Sequence, residues 1–280
     1  MTYLFVVFNI IVSVIFTQTF KFALKNAKDH GAITIFMEGF GALFIALLIP
    51  FFHWKLPTNW WPVFLLIAAS VFYGISDRIN TTVRSGVEAS TYSVIKQLSP
   101  VFMILAGFLF FHERFVLWQM FGAALIIASN IIIFWRPHQK INKYFVMGVG
   151  STILYTIALF FDVNVSGQFN LPFYLMTSFA VSVLIVMVIS RISPRKIIAE
   201  WKANKRIKFM MIVGISGSLS TLTALLAYQT GQLSIVAPLL ATTVLANVVV
   251  GYIFLKERDN LPRKIFAACL IILGIILLRI

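Results

Sequence analysis

Lys96 is the residue of this chain best placed to bind an anion inside an otherwise apolar segment. It lies in the sequence TYSVIKQLSP, four residues before Pro100. Because proline has no backbone N–H, the carbonyl of Lys96 loses its helical hydrogen-bond partner, and an ammonium and a free carbonyl meet at a kink. The pattern predicts a docking point for the carboxylate or phosphate of a solute. The alternatives are an ion pair with a neighbouring acidic residue and a side chain that extends to the membrane interface.

Two carboxylates and an arginine lie at a similar depth in the preceding apolar segments. Glu38 is embedded in one apolar run, and Asp77 and Arg78 are embedded in the next. Charged groups inside a membrane are costly, so each is a functional hypothesis. We expect Glu38 or Asp77 to carry a coupling proton, or all three residues to form an ion-pair network that gates one end of a pathway. Adjacent residues point about 100° apart on a helix, so Asp77 and Arg78 face different partners.

Four tyrosines and an asparagine are candidates for lining a cavity that is apolar but must orient a polar group. A ring with a hydroxyl suits such a cavity. The spacing of four residues from Tyr73 to Asp77 places both on one helix face. Asn247 has the alternative role of a hydrogen-bond partner between helices. The candidates are Tyr73, Tyr92, Tyr155, Tyr228 and Asn247.

These residues belong to ten apolar stretches that fill the chain almost from end to end. A hydrocarbon core roughly 30 Å thick needs about 20 apolar residues per helix. The runs are nearly continuous, which argues against the alternating pattern of a β-barrel. The sequence therefore predicts an all-α membrane protein with ten transmembrane helices. The predicted spans are 3–20, 32–52, 60–80, 92–111, 116–135, 144–161, 172–190, 207–227, 234–255 and 264–279.

Composition and charge agree with a membrane protein and indicate its orientation. Hydrophobic residues make up 60% of the chain and charged residues 11%, where a soluble domain carries about 25% charged residues. The net charge of +14 would indicate nucleic acid in a soluble protein, but here it is concentrated in loops. The loops after odd-numbered spans, with the adjoining helix ends, hold 19 Lys and Arg, and the other side holds 3. The positive-inside rule predicts cytoplasmic basic loops and both termini outside the cell membrane.

The two halves of the chain resemble each other in sequence. At a displacement of 144 positions, GFLFFHERFVLWQMFGAALII aligns without a gap with GYIFLKERDNLPRKIFAACLI, so that Glu113-Arg114 falls on Glu257-Arg258. Five spans per half is an odd number, so the second half enters the membrane from the opposite side. The alignment predicts two inverted five-helix repeats, 1–140 and 141–280, with a substrate site between them near the midplane.

The same residues resemble the EamA family of the drug/metabolite transporter superfamily. The resemblance implies a ten-helix transporter of small metabolites, amino acids or drugs, with a cavity lined chiefly by helices 1, 3, 4, 6, 8 and 9. Members with ten helices are usually drawn with both termini in the cytoplasm, whereas the charge count here predicts the reverse. The matching residues are Ser99-Pro100, Phe110 to Arg114 and Gly122 to Ala124, and in the second copy Ala237-Pro238, Leu255 to Arg258 and Ala267-Ala268.

These features together predict a secondary transporter that moves a small organic metabolite by alternating access in the lipid bilayer. The predicted solute is anionic or zwitterionic, such as an amino acid. Proton coupling through Glu38 or Asp77 is one option, and the sequence leaves the coupling ion open. We expect no cofactor, metal or nucleic acid. We also expect no enzymatic activity, since no cluster of histidines or carboxylates at mid-depth is evident. The alternatives are an exporter of apolar amino acids or cationic drugs, a flippase for a lipid-linked substrate, and a scaffold whose buried charges are all paired. The oligomeric state is open.

Overall fold

The computed structural model of the chain consists of apolar helices. It describes residues 1–24, 29–86, 92, 95–113, 116–134, 142–193, 195, 197, 207–254 and 261–278, and within these ranges no strand occurs. The helices are α1 (Thr2–Leu24), α2 (His30–Ala46), α3 (Trp61–Gly86), α4 (Leu98–Phe110), α5 (Leu117–Phe134), α6 (Lys143–Val165), α7 (Leu171–Ser190), α8 (Ile207–Thr230), α9 (Leu233–Ala241), α10 (Thr243–Phe254) and α11 (Leu261–Leu277). The predicted all-α class is therefore confirmed for the described part of the chain.

Within the described residues, six helical segments are long and apolar enough to cross a membrane, by length and composition. These candidate spans are Thr2–Phe20, Trp61–Arg84, Lys143–Gln168, Leu171–Ser190, Ile207–Thr230 and Leu233–Val250. Shorter apolar helices lie at His30–Ala46, Leu98–Phe110 and Leu117–Ile133.

Several predicted spans differ from the observed helices at their ends, and two of them differ by six residues at the C-terminal end. The predicted span 32–52 is too long, because α2 ends at Ala46 and a 3-10 turn with Pro50 follows at Ile49–Phe51. The predicted span 60–80 is too short, because α3 continues to Gly86.

Polar side chains begin three of the helices. Asp29 before α2, Asn142 before α6 and Asn170 before α7 each accept hydrogen bonds from backbone N–H groups of the first helical turn. Such caps pair N–H groups that have no partner inside the helix. The Asn170 amide also donates to the carbonyls of Ile49 and Phe52, at 3.2 and 3.0 Å. It thereby fastens the connection between α2 and α3 to the start of α7.

Two helical stretches are interrupted near prolines. A turn at Gln97 precedes α4, and Thr242 alone separates α9 from α10. Pro100 and Pro238 lie close to these breaks, and each removes the N–H that would pair with the carbonyl four residues earlier. The break at Gln97 agrees with the kink that the sequence predicts beside Lys96.

Helix packing brings α3, α6 and the segment before α4 together. The largest helix interfaces pair α1 with α8 and α3 with α6, and further interfaces pair α2 with α7, α5 with α11 and α4 with α9. The seam between α1 and α8 is polar, since Asn9 donates to the Ser220 carbonyl at 2.6 Å and to the Thr223 hydroxyl at 3.1 Å. Helix α4 also packs on α6, which places residues on both sides of the break at Gln97 near α6.

Candidate functional site

Lys96 lies beside the helix break, between two aromatic rings. Its Nζ atom is 5.0 Å from the centre of the Tyr155 ring and 5.6 Å from that of Tyr92. A cation within about 6 Å of a ring centre is attracted by the negative face of the ring. Tyr92 is buried, whereas Lys96 and Tyr155 are only partly buried. The ammonium is therefore positioned by aromatic faces and keeps some accessible surface.

Tyr155, in the middle of α6, is the centre of a group of tyrosines. The ring of Tyr73 on α3 meets it edge to face, with ring centres 5.5 Å apart and planes at 65°. Tyr92 and Tyr228 interact electrostatically with Tyr155 as well. The structure thus brings together the four tyrosines that the sequence proposes as a cavity lining, with Lys96 among them. We call Tyr73, Tyr92, Tyr155, Tyr228 and Lys96 the tyrosine–lysine cluster.

Asp77 adds a negative charge next to this cluster. It follows Tyr73 by one helical turn of α3 and lies within Coulombic range of Lys96 and Arg84. Asp77 is partly buried. Arg78 turns to α7 instead, where its Nε atom donates to the Ser190 hydroxyl at 2.7 Å. The two neighbours therefore have different partners, as their angular separation on a helix requires.

Glu38 is a buried carboxylate on α2. Its side chain is 7% exposed, and neither carboxylate oxygen accepts a hydrogen bond from the described residues. It lies within Coulombic range of Asp77. An isolated buried charge costs several kcal/mol or more, so this position favours a neutral carboxyl group or a carboxylate with a transient cationic partner.

Arg84, near the end of α3, closes one side of the cluster. Its guanidinium carbon lies 4.3 Å from the ring centre of Phe20 on α1 and 4.3 Å from that of Tyr92. Stacking between two rings suits the planar guanidinium. The contact links α1 and α3 to the segment before α4. Tyr92, like Lys96, precedes the break at Gln97.

Asn247 forms a hydrogen bond between helices, which is one of its two predicted roles. It lies on α10, and its carbonyl oxygen accepts from the Gln18 amide of α1 at 3.1 Å. This bond joins two helices. The contacts of Asn247 among the described residues do not include the tyrosine–lysine cluster.

Asp162 is a central residue that the sequence analysis missed. Its side chain is fully buried on α6, and both of its oxygens accept hydrogen bonds from tyrosines. The Tyr73 hydroxyl donates to Oδ2 at 2.9 Å, and the Tyr174 hydroxyl of α7 donates to Oδ1 at 2.6 Å. The predicted span ended at 161, which left this carboxylate outside the membrane. A single acidic residue in the apolar sequence FFDVNV was the available signal.

Polar side chains connect the halves of the chain around α4 and α9. Asn130 on α5 is fully buried, and its amide donates to the Gln97 side chain and to the Ala241 carbonyl, both at 3.0 Å. Glu113 accepts from the backbone N–H groups of Leu233 and Ser234 at 2.6 and 3.0 Å. Asn130 therefore spans both breaks, and Glu113 caps the start of α9.

The arrangement places the cations of Lys96 and Arg84 and the carboxylates of Asp77 and Asp162 around a group of aromatic rings. An ammonium of this kind binds a carboxylate or phosphate, and Asp77 can bind the ammonium of the same solute. In the part of the chain that the structure describes, no group of three His, Cys, Asp or Glu residues is placed to hold a metal ion. Groups of these kinds can contact a small charged solute.

Comparison with known sequences agrees with this geometry. Residues 1–135 match the sequence model of the EamA-like transporter family. Residues 1–135 are therefore similar to that family, and the match covers slightly less than half of the chain. The EamA match includes the Glu113-Arg114 motif and Lys96, and it confirms the resemblance read from the sequence. Members of the family are membrane transporters of the drug/metabolite type rather than enzymes. Together with the apolar helices, this points to a multi-pass membrane protein.

Comparison with solved structures supports the fold over the whole chain. A crystal structure of a protein that is 12% identical in sequence superposes with a TM-score of 0.73, covering 99% of this chain and 95% of the other. At this identity the likeness concerns the fold alone. No curated protein matches the chain in sequence.

Proposed function

We propose that the chain is a secondary transporter that carries a small anionic or zwitterionic metabolite, such as an amino acid, by alternating access. The observation that carries the proposal is the position of Lys96 at an interrupted helix, over the ring of Tyr155 and within Coulombic range of Asp77. Interrupted helices that meet ionisable side chains within the membrane are a common way to build a solute site. The EamA match of residues 1–135 supports transport as the activity.

The proposed architecture has ten spans in two inverted repeats, 1–140 and 141–280. In this scheme α9 and α10 form one span. In the two repeats, α1 corresponds to α6 and α3 corresponds to α8. The α1–α8 interface therefore corresponds to the α6–α3 interface, and these are the two largest helix interfaces. The breaks at Gln97 and Thr242 fall in corresponding spans. The pairing of helices and the position of the breaks both support a twofold relation between the halves.

Each candidate residue has a proposed role in this scheme. Lys96 binds the acidic group of the solute, Asp77 binds its ammonium if it has one, and the tyrosines Tyr73, Tyr92, Tyr155 and Tyr228 shape the cavity. Glu38, Arg78 and Arg84 belong to a gate at the end of the pathway near the basic loops, which we place in the cytoplasm on charge. Asn247 contributes to the junction of α1 and α10.

Ligand screening by thermal stability tests the role of Lys96. The purified protein is heated with L-glutamate, L-alanine and L-lysine, and with other metabolites sorted by charge, for wild type, Lys96→Met and Lys143→Met. Lys143 is a matched control, because its ammonium also lies over a tyrosine, 5.1 Å from the ring centre of Tyr144, but it is exposed at the start of α6. A ligand at 100 times its dissociation constant adds about 2.7 kcal/mol of stability.

The outcomes separate the candidate solutes. We expect anionic or zwitterionic compounds to stabilise wild type and Lys143→Met but not Lys96→Met. Stabilisation of all three proteins by the same anion would contradict a docking role for Lys96. Stabilisation by cationic compounds alone would favour an exporter of cationic drugs, with Asp77 and Glu38 as the binding groups.

A further inference from the structure

The carboxylate of Asp162 is held in an unusual environment for a charged group inside a candidate membrane span. The span Lys143–Gln168 includes it, and its side chain has no exposed surface. Its two oxygens are occupied by the hydroxyls of Tyr73 and Tyr174 at 2.9 and 2.6 Å. These two donors are neutral, so among the described residues the carboxylate has hydrogen bonds but no countercharge in direct contact.

The groups around Asp162 come from three helices. Tyr73 of α3 and Tyr174 of α7 reach it directly, and Tyr155, two helical turns earlier on α6, lies within Coulombic range. Lys96 lies over the face of Tyr155, and Asp77 is within Coulombic range of the same tyrosine. Tyr228 of α8 is also within Coulombic range of Tyr155. Burial of an ionised carboxylate without a paired cation is costly, so the proton affinity of Asp162 depends strongly on the charges and hydrogen bonds around it.

The two tyrosines differ in their exposure. Tyr174 is fully buried, whereas Tyr73 is partly buried and packs against Tyr155 of the tyrosine–lysine cluster. A tyrosine hydroxyl donates one hydrogen bond and accepts others. Tyr73 can therefore pass its hydrogen to the Oδ2 atom of Asp162 while its oxygen takes up a proton from the cavity side. After this step Asp162 is a neutral carboxyl group, and the Tyr73 hydroxyl is restored.

We propose that Asp162 is the proton-binding site of the transporter, with Tyr73 as the relay to the solute cavity and Tyr174 as its fixed anchor. This inference rests on the proposed transport function and names its coupling group. It places the coupling proton on α6, rather than on Glu38 or Asp77 as the sequence alone indicates. Movement of Lys96 or Tyr155 on solute binding displaces the Tyr73 ring, so that solute and proton occupancy depend on each other.

Infrared spectroscopy tests the site without any solute. Full-length protein in liposomes is titrated with acid, and the carbonyl stretch of a protonated carboxyl group is followed. The variants are Asp162→Asn, which keeps the shape of the side chain, Glu38→Gln, and Tyr174→Phe, which removes one hydroxyl and keeps the ring. Asn164→Ala is the control, because Asn164 is exposed two residues away on the same helix.

We expect one component of the titrating carbonyl band of wild type to be absent in Asp162→Asn, shifted in frequency in Tyr174→Phe, and unchanged in Glu38→Gln and Asn164→Ala. The other carboxyl groups contribute a background that wild type and Asp162→Asn share. Should Asp162→Asn fail to fold, the frequency shift in Tyr174→Phe decides the question. Identical titrating bands in wild type and Asp162→Asn overturn the proposal, and so does a component that disappears only in Glu38→Gln.

A flux measurement separates this proposal from the transport function itself. Proteoliposomes that contain a pH-sensitive dye receive L-glutamate, L-alanine or L-lysine outside, and solute uptake and internal acidification are recorded together. We expect Asp162→Asn to exchange labelled solute across the membrane but to lose solute-driven acidification. Acidification that is equal in wild type and Asp162→Asn overturns the role of Asp162 and leaves transport intact. If no compound of a wider panel is moved, while the infrared band still belongs to Asp162, the transport proposal fails and the proton site stands.

Discussion

The ammonium of Lys96 lies 5.0 Å from the centre of the Tyr155 ring. A cation–π contact is worth about 0.5–1 kcal/mol when exposed and about 2 kcal/mol when desolvated. A free lysine side chain has many rotamers, and ordering it costs roughly 1.5–2 kcal/mol. The aromatic face therefore holds the ammonium in one region before a solute arrives, which lowers the entropic cost of binding.

The aromatic face, rather than the hydroxyl of Tyr155, should support anion binding. Tyr155→Phe keeps the ring and should leave the affinity for the stabilising anion close to wild type. Tyr155→Leu removes the ring and should weaken binding between about 2-fold and about 30-fold, which corresponds to the energy of the contact. Isothermal titration of both variants measures the difference. Equal affinities in Tyr155→Leu and wild type would show that Lys96 does not depend on the ring.

The carboxylate of Glu113 should stabilise the start of α9. It accepts from the N–H groups of Leu233 and Ser234, which have no partner within the helix. Glu113→Ala should reduce the unfolding free energy by about 0.5–2 kcal/mol. His112→Asn is the control, because His112 is exposed with a φ of 50° that asparagine tolerates. Chemical denaturation in detergent should separate the two variants, and equal stability would contradict the capping role.

Asn130 should fix the positions of the two helix breaks relative to each other. Asn130→Ala removes its hydrogen bonds to Gln97 and Ala241, and the cost of unpaired buried polar groups is about 1–3 kcal/mol. We expect faster amide hydrogen exchange around both breaks in this variant. Among the described residues, the neighbouring Ser129 donates only to the Leu125 carbonyl of its own helix, so Ser129→Ala is the matched control. Exchange that rises equally in both variants would argue against a specific link.

Local chemistry explains which parts of the site were predictable from the sequence. The break beside Lys96 follows from the missing N–H of Pro100, and the shared face of Tyr73 and Asp77 follows from their spacing. Both depend only on residues within one helical turn. Apolar runs of membrane length likewise predict helices, because lipid offers no hydrogen-bond partner to the backbone.

Contacts between distant residues were not predictable in the same way. Asp162 meets Tyr73 and Tyr174, and Glu113 meets the start of α9, only after the helices have packed. Many of these helices are apolar on all sides, so the sequence has no polar face that shows which side turns inward. The end of α6 was also placed too early, and this placed Asp162 outside the predicted span.

Two glycines should differ sharply in their tolerance of a methyl group. A Cβ atom on Gly214 of α8 would lie 2.5 Å from the Met37 carbonyl oxygen and 2.8 Å from the Phe40 Cβ atom, so Gly214→Ala must push α2 and α8 apart. We expect a loss of about 1–3 kcal/mol. Gly39 has no atom within 4 Å of its Cβ position, so Gly39→Ala should be neutral or stabilise by up to about 1 kcal/mol. The midpoints of thermal unfolding measure both, and equal midpoints would contradict the close crossing.

The charge bias of the loops makes a prediction about orientation. Ser193 follows α7 in the basic connection, and Thr58 precedes α3 on the opposite side, and both are exposed. In a Cys269→Ser background, Ser193→Cys should react with an impermeant thiol reagent only after the cells are permeabilised, because the positive-inside rule places it in the cytoplasm. Thr58→Cys should react in intact cells and serves as the control. The reverse pattern would place both termini in the cytoplasm, as usually drawn for ten-helix members of the EamA family. The end of the pathway near the basic loops would then face the outside of the cell.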